Sequence, residues 1–437
     1  MNDRGTGAYA GGHLKSAVSR NEAKMQCPGD SPRPLNVVIV GAGIGGLAAA
    51  ISLRRNGHRI TIFEASQSKS EIGAGITVQR NAVRVLKHLG YSKENLKAID
   101  FDGAELYDAK TGARTTAPWL IAKSEDEDIF CHRNDLHEEL GRLATGEGDG
   151  PPVQIRLGTK ILACDPEVGT VTLNNGENIS ADLVVGADGI HSAVRTGILG
   201  HVVKAPPSGL SCFRCLFDTS ALNSIPDLDW LTDGISGARV VAWREGGPIR
   251  SFFIYKCSNG SLVNLVAFYA DAAQDEPTWT PTVTREEILE TFKGFNSKFL
   301  RIFDLPADSP PMRWQLRALP FIPTWIHGRT ALLGDSAHAT LPLLGQGAAM
   351  AFEEAATLGC LLPLGTNKED VPVRLEAYQT LRKGRGDYMN AEAQAQAAVP
   401  EKRGTYLTSR EMQRHVLEYD AIKVAGDYYE AHFGDKI

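Results

Sequence analysis

The chain has 437 residues, which is long for one compact core, so two or more lobes are expected. Hydrophobic residues make up 43% and charged residues 22%, the ordinary balance of a soluble globular protein. The net charge of -6 gives no electrostatic reason to expect nucleic acid or an anionic membrane as a partner. Seven scattered cysteines argue against a disulfide framework and favour a reducing, cytoplasmic setting.

The first segment, residues 1–34, is rich in Gly, Ser, Asn and Pro and has no apolar stretch. We therefore predict a disordered tail and not a signal peptide. The uncharged run from Val37 to Leu53 is shorter than the ~20 residues that a membrane-spanning helix needs. No other segment has a longer uncharged apolar run, so we expect no membrane span.

A strand–turn–helix–strand unit follows the tail. Leu35–Val40 is apolar and rich in β-branched residues, which is typical of a buried strand. The turn Gly41-x-Gly43-x-x-Gly46 then opens a helix, and Arg59–Phe63 forms the next strand. This order within about 30 residues is the one that a right-handed βαβ unit requires.

The three glycines and the next acidic residue predict a dinucleotide site. The first glycine permits the tight turn, the second lets the backbone approach a pyrophosphate, and the third lets helix and strand pack closely. Backbone N–H groups at the helix start then face the phosphates. Glu64, 18 residues after Gly46, is placed to accept hydrogen bonds from ribose hydroxyls. A carboxylate there disfavours a 2′-phosphate, so the nucleotide is FAD or NAD rather than NADP.

Later segments alternate in type. Residues 153–165 and 169–175 predict antiparallel strands, and residues 181–188 predict a buried parallel strand. Between about 210 and 320, several strands separated by turn residues predict a separate, mainly antiparallel sheet. A further buried strand is followed by a long helix from about Gly347 to Leu362, and the last hundred residues are predicted to be helical.

These elements predict an α/β fold. It comprises a Rossmann-type dinucleotide-binding domain with an inserted, mainly antiparallel β-sheet substrate domain and C-terminal helices. The predicted segments are the disordered tail (1–34), the first pieces of the nucleotide domain with some antiparallel strands (35–209), the inserted sheet (210–320), the last piece of the nucleotide domain (321–390) and a C-terminal helical segment (391–437).

Cys212 and Cys215 form a C-x-x-C in the run SCFRCLF, which is typical of a strand. No second pair follows, so a strand is favoured over a zinc or redox site, and we expect no metal.

Two further motifs decide between FAD and NAD. One is the run from Gly186 to Arg195 (GADGIHSAVR), and the other runs from Gly334 to His338 (GDSAH) and continues at Gly345–Ala349 (GQGAA). With the first glycine turn, these motifs resemble the class A FAD-dependent monooxygenases. The resemblance is closest to the salicylate hydroxylase-like aromatic hydroxylases, including fungal monooxygenases of phenolic polyketides. It extends from about Leu35 to Tyr429, in the family's order and spacing.

The resemblance implies that FAD is the bound cofactor. Further matching segments are Glu71–Ile76 with Asn81 and Ala82, His132–Leu136, Glu353–Ala355, and Arg382 with Arg385. The implied FAD-binding residues are Gly41, Gly43, Gly46, Glu64, Gly75, Arg133, Asp188, Asp335, Gly347 and Ala348.

Three residues of these motifs have structural alternatives. Arg133 contacts FAD or forms a surface salt bridge with Asp135 or Glu138. Asp335 hydrogen-bonds the ribityl chain, caps the following helical turn, or does both. Arg195 contributes to the FAD and nicotinamide motif or ties its own loop together.

The glycine-containing loop before the long helix is expected to lie at the flavin. N–H groups near Gly347 and Ala348 would face the pyrimidine edge, where reduction places negative charge. A helix N-terminus stabilises such an anion by roughly 0.3–2 kcal/mol. Pro342 and Leu343 are expected to form an apolar wall beside the flavin. His338 is at least as well explained as a buried structural residue, so we leave it out of the catalytic set.

The family implies that NADH or NADPH reduces the flavin and that O2 then gives a C4a-hydroperoxide, which hydroxylates a small phenolic substrate. The nicotinamide cofactor would bind transiently, because Val78 stands where a second turn, Gly73-x-Gly75, would need its third glycine. The same chemistry on a fungal polyketide or indole would give dearomatisation or epoxidation instead. A halogenase is disfavoured because W-x-W-x-I-P is absent. A non-catalytic flavin-binding protein and a flavin-free NAD dehydrogenase are remote alternatives.

The catalytic candidates, Arg214 and Tyr255, lie on the predicted inserted strands. Arg214 sits in an apolar run, where its charge needs a partner, either a substrate carboxylate or phenolate or a buried acid of this chain. Tyr255 and Lys256 are neighbours on a strand, so only one points into the pocket; we favour Tyr255, the alternative being a tyrosine with its hydroxyl in water. Arg80 and Lys256 replace prolines expected near the active-site rim, so substrate choice cannot be inherited from salicylate hydroxylation itself.

Overall fold

The computed structural model describes residues 33–67, 74–122, 125–271 and 282–434. The predicted tail therefore lies outside the described residues except for its last two positions. The same holds for the first three residues of the Glu71–Ile76 segment.

Strands and helices alternate in the first half of the described chain, and helices dominate its end. The strands are β1 (Asn36–Val40), β2 (Arg59–Phe63), β3 (Gly75–Val78), β4 (Ile99–Asp100), β5 (Gly103–Asp108), β6 (Arg114–Pro118), β7 (Ile129–His132), β8 (Gln154–Arg156), β9 (Ile161–Asp165), β10 (Thr170–Leu173), β11 (Asn178–Ser180), β12 (Leu183–Gly186), β13 (Pro207–Asp218), β14 (Ala238–Ala242), β15 (Arg250–Cys257), β16 (Leu262–Ala270), β17 (Met312–Arg317), β18 (Ile326–His327) and β19 (Thr330–Leu332).

The helices are α1 (Ile44–Arg55), α2 (Arg80–Leu89), α3 (Arg133–Thr145), α4 (Ala193–Leu199), α5 (Arg285–Thr291), α6 (Ser297–Leu300), α7 (Asp335–His338), α8 (Gly347–Leu361), α9 (Val371–Ala398), α10 (Thr405–Thr408), α11 (Arg410–Leu417) and α12 (Ala421–His432).

A six-stranded sheet forms the centre of the first lobe, in the order β18-β19-β12-β1-β2-β8. The central strand β1 runs parallel to both neighbours, with Val38 opposite Val184 and Thr61. Its residues from Val37 to Val40 are at most 4% exposed, because a parallel strand is covered on both faces. The predicted βαβ unit is confirmed.

A seven-stranded sheet forms the second lobe, in the order β17-β13-β16-β15-β14-β5-β6. Its neighbours pair antiparallel except for β14 and β5, which run parallel. The Rossmann-type sheet, the mainly antiparallel second sheet and the C-terminal helices confirm the predicted fold class. The second sheet also includes β5 and β6, which precede the predicted 210–320 segment in the chain.

The prediction for residues 153–165 is wrong in its first half. Gln154–Arg156 pairs parallel with β2 at the edge of the six-stranded sheet, and only Ile161–Asp165 pairs antiparallel with β10. The chain turns between the two parts at Gly158, whose φ of +64° favours glycine. Alternating polarity indicates a strand but not its partner, and the partner here is nearly a hundred positions away in the chain.

The seven-stranded sheet has two differently covered faces. The outer face, which carries Phe213 and Phe252, packs against α5 and α6. The inner face, which carries Cys212 and Phe268, packs with residues of α8 and α9. Cys215 belongs to the outer-face core, so the two cysteines of the C-x-x-C point to opposite sides of one strand.

Among the described residues, no helix combines the length and the apolar character that crossing a membrane would demand.

Candidate active site

The glycine turn after β1 is held by backbone contacts that leave no space for a side chain at its first and third glycines. Gly41 has a φ of +102°, and a Cβ added there would lie 2.4 Å from the carbonyl oxygen of Ala187. A Cβ on Gly46 would lie 2.0 Å from the carbonyl oxygen of Gly41. In contrast, a Cβ on Gly43 would meet no atom within 4 Å. The first and third glycines are therefore required by packing, whereas the second faces open space.

Glu64 lies directly after β2 and beside this turn. Its Oε2 accepts a hydrogen bond from the backbone N–H of Ala42 at 2.7 Å, and its Oε1 accepts one from Ser66 at 2.8 Å. The carboxylate is thus fixed next to the middle of the glycine turn. This is the position from which it would reach a ribose.

Asp188 follows β12 and caps the start of α4. Its carboxylate accepts hydrogen bonds from the Ser192 hydroxyl at 2.5 Å and from the N–H groups of Ala193 at 2.7 Å and Val194 at 3.2 Å. Burial raises the pKa of Asp188, and these hydrogen bonds lower it only in part. The described contacts of this side chain organise the loop beside the glycine turn.

Arg195 ties that loop to its surroundings. Its guanidinium donates to the carbonyls of Ser336 at 2.9 Å, Ile190 at 2.7 Å and Val203 at 3.0 Å. Of the two roles considered from the sequence, these contacts favour the structural one.

Asp335 follows β19 and is exposed, although its neighbours Gly334 and Ser336 are buried. Gly334 occupies the N-cap of α7, and no side-chain hydrogen bond caps this helix. No hydrogen bond or ion pair joins the Asp335 carboxylate to a described residue. The carboxylate is therefore available to a ligand in front of the loop.

His338, on the same short helix, is buried and paired. Its Nε2 lies 2.7 Å from Oε1 of Glu354, whose Oε2 accepts a hydrogen bond from the N–H of Gly334 at 2.7 Å. Burial lowers the pKa of the imidazole, but the adjacent carboxylate raises it and the net shift is upward. His338 and Glu354 thus hold the Gly334 loop, in agreement with a structural histidine.

The N-terminus of α8 presents the half-buried residues Gly347 and Ala348. The preceding residue, Gln346, is buried and donates a side-chain hydrogen bond to Gln79. It also accepts one from Asn81 at 2.9 Å. The residue before the helix is therefore held by the side chains of Gln79 and Asn81 at the start of α2.

Asn81 extends this polar network into the core. Its Nδ2 also donates to Oε1 of Glu353 at 2.7 Å. Glu353 accepts hydrogen bonds from Arg382 at 2.6 Å and from Arg385 at 2.7 and 2.9 Å. Burial raises the pKa of Glu353, but Arg385 and Arg382 lower it more, so the net shift is downward.

The sequence indicated only part of this network. Glu353 and the two arginines belong to matching motifs, but Gln79 and Tyr406 carried no signal. The Tyr406 hydroxyl donates to Oε1 of Gln79 at 2.7 Å, although the two residues are 327 positions apart in the chain. Only the fold brings them together.

Arg133 begins α3 and is half-buried beside β3, where its backbone N–H donates to the carbonyl of Ala74 at 2.8 Å. The acids that sequence reasoning offered as surface partners have other contacts. Asp135 pairs with Lys97 at 3.0 Å, and Glu138 accepts a hydrogen bond from Asn134 at 2.7 Å.

Gly75, at the start of β3, touches the second sheet. Its N–H donates to Oδ1 of Asn264 at 2.8 Å, and an added Cβ would lie 2.6 Å from Cε2 of Tyr255. Tyr255 stacks on Phe130 with ring centroids 4.2 Å apart. The two lobes thus meet where one predicted FAD-binding residue contacts one predicted catalytic residue.

Arg214 and Tyr255 both lie on the inner face of the seven-stranded sheet. Arg214 is paired with Val266 across the strands, and Val266 with Phe253, which is on the same face as Tyr255. The guanidinium carbon of Arg214 lies 4.8 Å from the ring centre of Trp314. No ion pair or carboxylate hydrogen bond reaches this guanidinium from the described residues, and its buried Nε has no hydrogen-bond partner.

The predicted FAD-binding groups converge at one edge of the six-stranded sheet. The glycine turn follows β1, Glu64 follows β2, Asp188 follows β12 and Asp335 follows β19. These four strands are neighbours and parallel, so their carboxyl ends meet at the same edge, where open α/β sheets bind nucleotides. The open space at Gly43 and the exposed carboxylate of Asp335 both fit a dinucleotide lying there.

Comparisons with known proteins identify the family of this chain. Residues 34–393 match a protein-family model described as an FAD binding domain. Hispidin-3-hydroxylase from Neonothopanus nambi is 40% identical over 405 residues, covering 90% of this chain and 95% of that protein. Salicylate hydroxylase from Pseudomonas putida is 31% identical over 380 residues, covering 80% and 81%. A solved salicylate hydroxylase substrate complex aligns with a TM-score of 0.70 and 26% identity, covering 90% of this chain and 97% of that one.

The chain therefore belongs to this family of FAD-binding proteins, and it is an FAD-dependent monooxygenase of the aromatic hydroxylase type. A structure of CtdE with FAD and a substrate shares the fold, with a TM-score of 0.76 and 23% identity over 91% of this chain and 98% of that one.

Substitutions at Gly43 and Gly46 should cause different defects, the first in FAD binding and the second in stability. Gly43 has ordinary extended backbone angles, so Gly43→Ala should leave the melting temperature of the FAD-free protein unchanged. Its new methyl group would occupy the approach to the pyrophosphate, so FAD affinity should fall by roughly 10- to 100-fold, or about 1.4–2.8 kcal/mol. Gly46→Ala should instead lower the unfolding free energy of the FAD-free protein by about 3 kcal/mol or more. Thermal melts and FAD titrations of both variants measure these effects; equal melting temperatures would contradict the assignment.

Glu353→Gln should destabilise the protein by about 3 kcal/mol at pH 7, because it leaves Arg382 and Arg385 buried without a counter-charge. The pKa of Glu353 is lower in the folded protein, so its contribution is complete above the ordinary value of 4.5 and is lost as pH falls through the folded value. The difference between wild type and variant should therefore shrink below about pH 4.5. Denaturant unfolding at several pH values measures this difference in stability.

Asp387→Asn is the control. It breaks the half-exposed pair with Lys383 on the same helix and should change stability by only about 0.5 kcal/mol.

Proposed function

We propose that the protein uses NADH or NADPH and O2 to hydroxylate a small phenolic substrate held between the FAD-binding edge and the inner face of the seven-stranded sheet. The observation that carries this proposal is Arg214, a cation on the inner face without a carboxylate partner among the described residues. A charge in such surroundings is costly unless it is paired, and a phenolate or carboxylate of the substrate would pair with it.

The inner face around Arg214 is rich in apolar side chains. Arg214 pairs with Val266 across the strands and lies over the ring of Trp314, and both residues, with Phe253 and Leu343, are half-buried and pack against the inner-face core. Leu343 belongs to the short turn before α8, and we assign it to the side of the proposed substrate pocket that adjoins the helix N-terminus. Such a lining excludes water and accepts an aromatic ring.

Tyr255 would act as a hydrogen-bond donor in this pocket and not as a base. Burial raises the pKa of its hydroxyl well above 10.0, so the proton stays on the oxygen at neutral pH. The stack on Phe130 fixes its ring. We assign Arg214 to holding the charged oxygen of the substrate and Tyr255 to orienting the ring.

FAD, when bound, supplies the activation of oxygen with electrons from the nicotinamide cofactor. The groups at the FAD-binding edge that we assign to holding it are the glycine turn, Glu64, Asp335 and the N-terminus of α8, with Gly75, Arg133 and Asp188 around them. The N-terminus of α8 would stabilise negative charge on a reduced ring. The names of two relatives, hispidin-3-hydroxylase and salicylate hydroxylase, support hydroxylation as the outcome.

A substrate panel tests the proposal. FAD-loaded protein is incubated with phenolic acids, resorcylic aldehydes and indoles, and loss of NADH or NADPH is followed together with product mass. We expect a phenol to accelerate cofactor oxidation and to gain one oxygen atom with its ring intact. Gain of an oxygen with loss of aromaticity, or oxygenation of indoles alone, would replace hydroxylation by dearomatisation or epoxidation. Bound FAD without any substrate-stimulated oxidation would reject an enzymatic role.

Arg214→Ala should uncouple the reaction. Without the guanidinium the substrate is no longer held in place, so cofactor oxidation should continue while the yield of product per cofactor falls by about tenfold and hydrogen peroxide accumulates. FAD content should stay at the wild-type level. The matched control is Arg313→Ala, because the Arg313 guanidinium lies over Phe213 on the outer face. Unchanged coupling in Arg214→Ala would remove Arg214 from the site.

A further inference from the structure

A second cavity lies at a notch in the seven-stranded sheet. Strand β14 begins at Ala238, whereas its neighbour β15 continues to Cys257, so the last residues of β15 have no partner on that side. A half-open cavity of about 300 Å³ lies at this notch. Its volume is at the lower end of the range for small-molecule sites. Arg214 does not line it.

Lys256 supplies the charge of this cavity. It is half-buried, on the strand face opposite to Tyr255, and no hydrogen bond or ion pair joins its ammonium to a described residue. Burial and the nearby Arg239 guanidinium lower its pKa.

Arg239 is less available to an anion than Lys256, because four of its five N–H donors already bind carbonyls of this chain. Its guanidinium donates to the carbonyls of Trp230, Asp233, Ile235 and Gly237 and folds that loop around itself. Its positive charge remains and adds to that of Lys256. No Asp or Glu is among the described residues that line the cavity.

The remaining walls combine apolar side chains with polar groups. Ile99, Phe130, Leu231, Ile254 and Val263 supply the apolar surface. The Thr232 and Ser236 hydroxyls already donate hydrogen bonds to the backbone carbonyls of Asp229 and Asp100. An inorganic anion would leave this surface unused, whereas a flat organic anion would cover it and gain about 25 cal/mol for each Å² of apolar surface buried.

We propose that this cavity is a second ligand site, which binds an aromatic carboxylate with its anionic group on Lys256. The stacked rings of Tyr255 and Phe130 form the wall on the side of Gly75, so the ligand lies behind the catalytic face and not on it. The site shares Tyr255 with the reaction assigned to the inner face, but not Arg214.

Cinnamate is the probe, and cinnamamide is its uncharged counterpart. Binding is measured by calorimetry on the FAD-loaded Arg214→Ala protein, in which the inner-face pocket has lost its cation. In this background, Lys256→Met should weaken cinnamate binding by at least about tenfold. Lys256→Arg should retain most of it, and cinnamamide should bind about tenfold more weakly than cinnamate. Lys204→Met, at an exposed position, is the control and should change nothing.

Several results would overturn the proposal: no cinnamate binding up to millimolar concentration, equal binding in Lys256→Met, equal affinity for cinnamamide, or displacement of cinnamate by equimolar inorganic phosphate. A failure of the hydroxylase assignment would appear elsewhere, in the substrate panel, as bound FAD without substrate-stimulated oxidation of NADH or NADPH, and so the two hypotheses are tested separately. Thermal melts of each variant show that loss of binding is not loss of folding.

Discussion

Close backbone contact after β1 fixes the position of everything else in the first lobe. The third glycine of the turn brings α1 so near to the end of β1 that a methyl group would lie 2.0 Å from a carbonyl oxygen. Gly41 in turn touches the backbone after β12. Because β1, β2, β12 and β19 are parallel neighbours, this contact aligns four loop starts at one edge of the sheet. Each of these loops then contributes a group that can hold part of a dinucleotide.

In the second lobe, functional side chains are positioned by their alternating direction along the strands and not by loops that meet at one edge. Because successive side chains of a strand point to opposite faces, one sheet supplies a dry core on its outer face and a mixed pocket on its inner face. Phe213 packs into the former, while Arg214, the next residue, points to the latter. The same alternation separates Tyr255 from Lys256. A shift of one residue in β13 or β15 would exchange these pairs and remove the cations from their present positions.

Sequence reasoning succeeded where the signal is local. The glycine turn, Glu64 and the start of α8 follow from spacing within short segments, and the sequence places Arg214 and Tyr255 on strands of one sheet. It failed where pairing is long-range: β8 joined the parallel sheet, and β5 joined β14 from 134 residues earlier. The hydrogen bond between Tyr406 and Gln79 likewise depends on chain folding that no local pattern contains.

Charged side chains in apolar surroundings fall into two groups in this molecule: those with partners within the chain, which are structural, and those without, which we expect to face ligands. Glu353 is matched by two arginines, Arg80 by Asp128, and Arg54 by four backbone carbonyls, so each of these charges is neutralised or solvated within the chain. Arg214 and Lys256 depart from this rule, although both stand on strands lined with apolar residues. Desolvating a cation without a counter-ion costs several kcal/mol, and the described contacts of these two side chains include no counter-ion. The Trp314 ring offsets only part of this cost for Arg214. An anionic ligand that binds from outside the chain would offset this cost. Arg214 and Lys256 therefore mark the surfaces where we expect ligands.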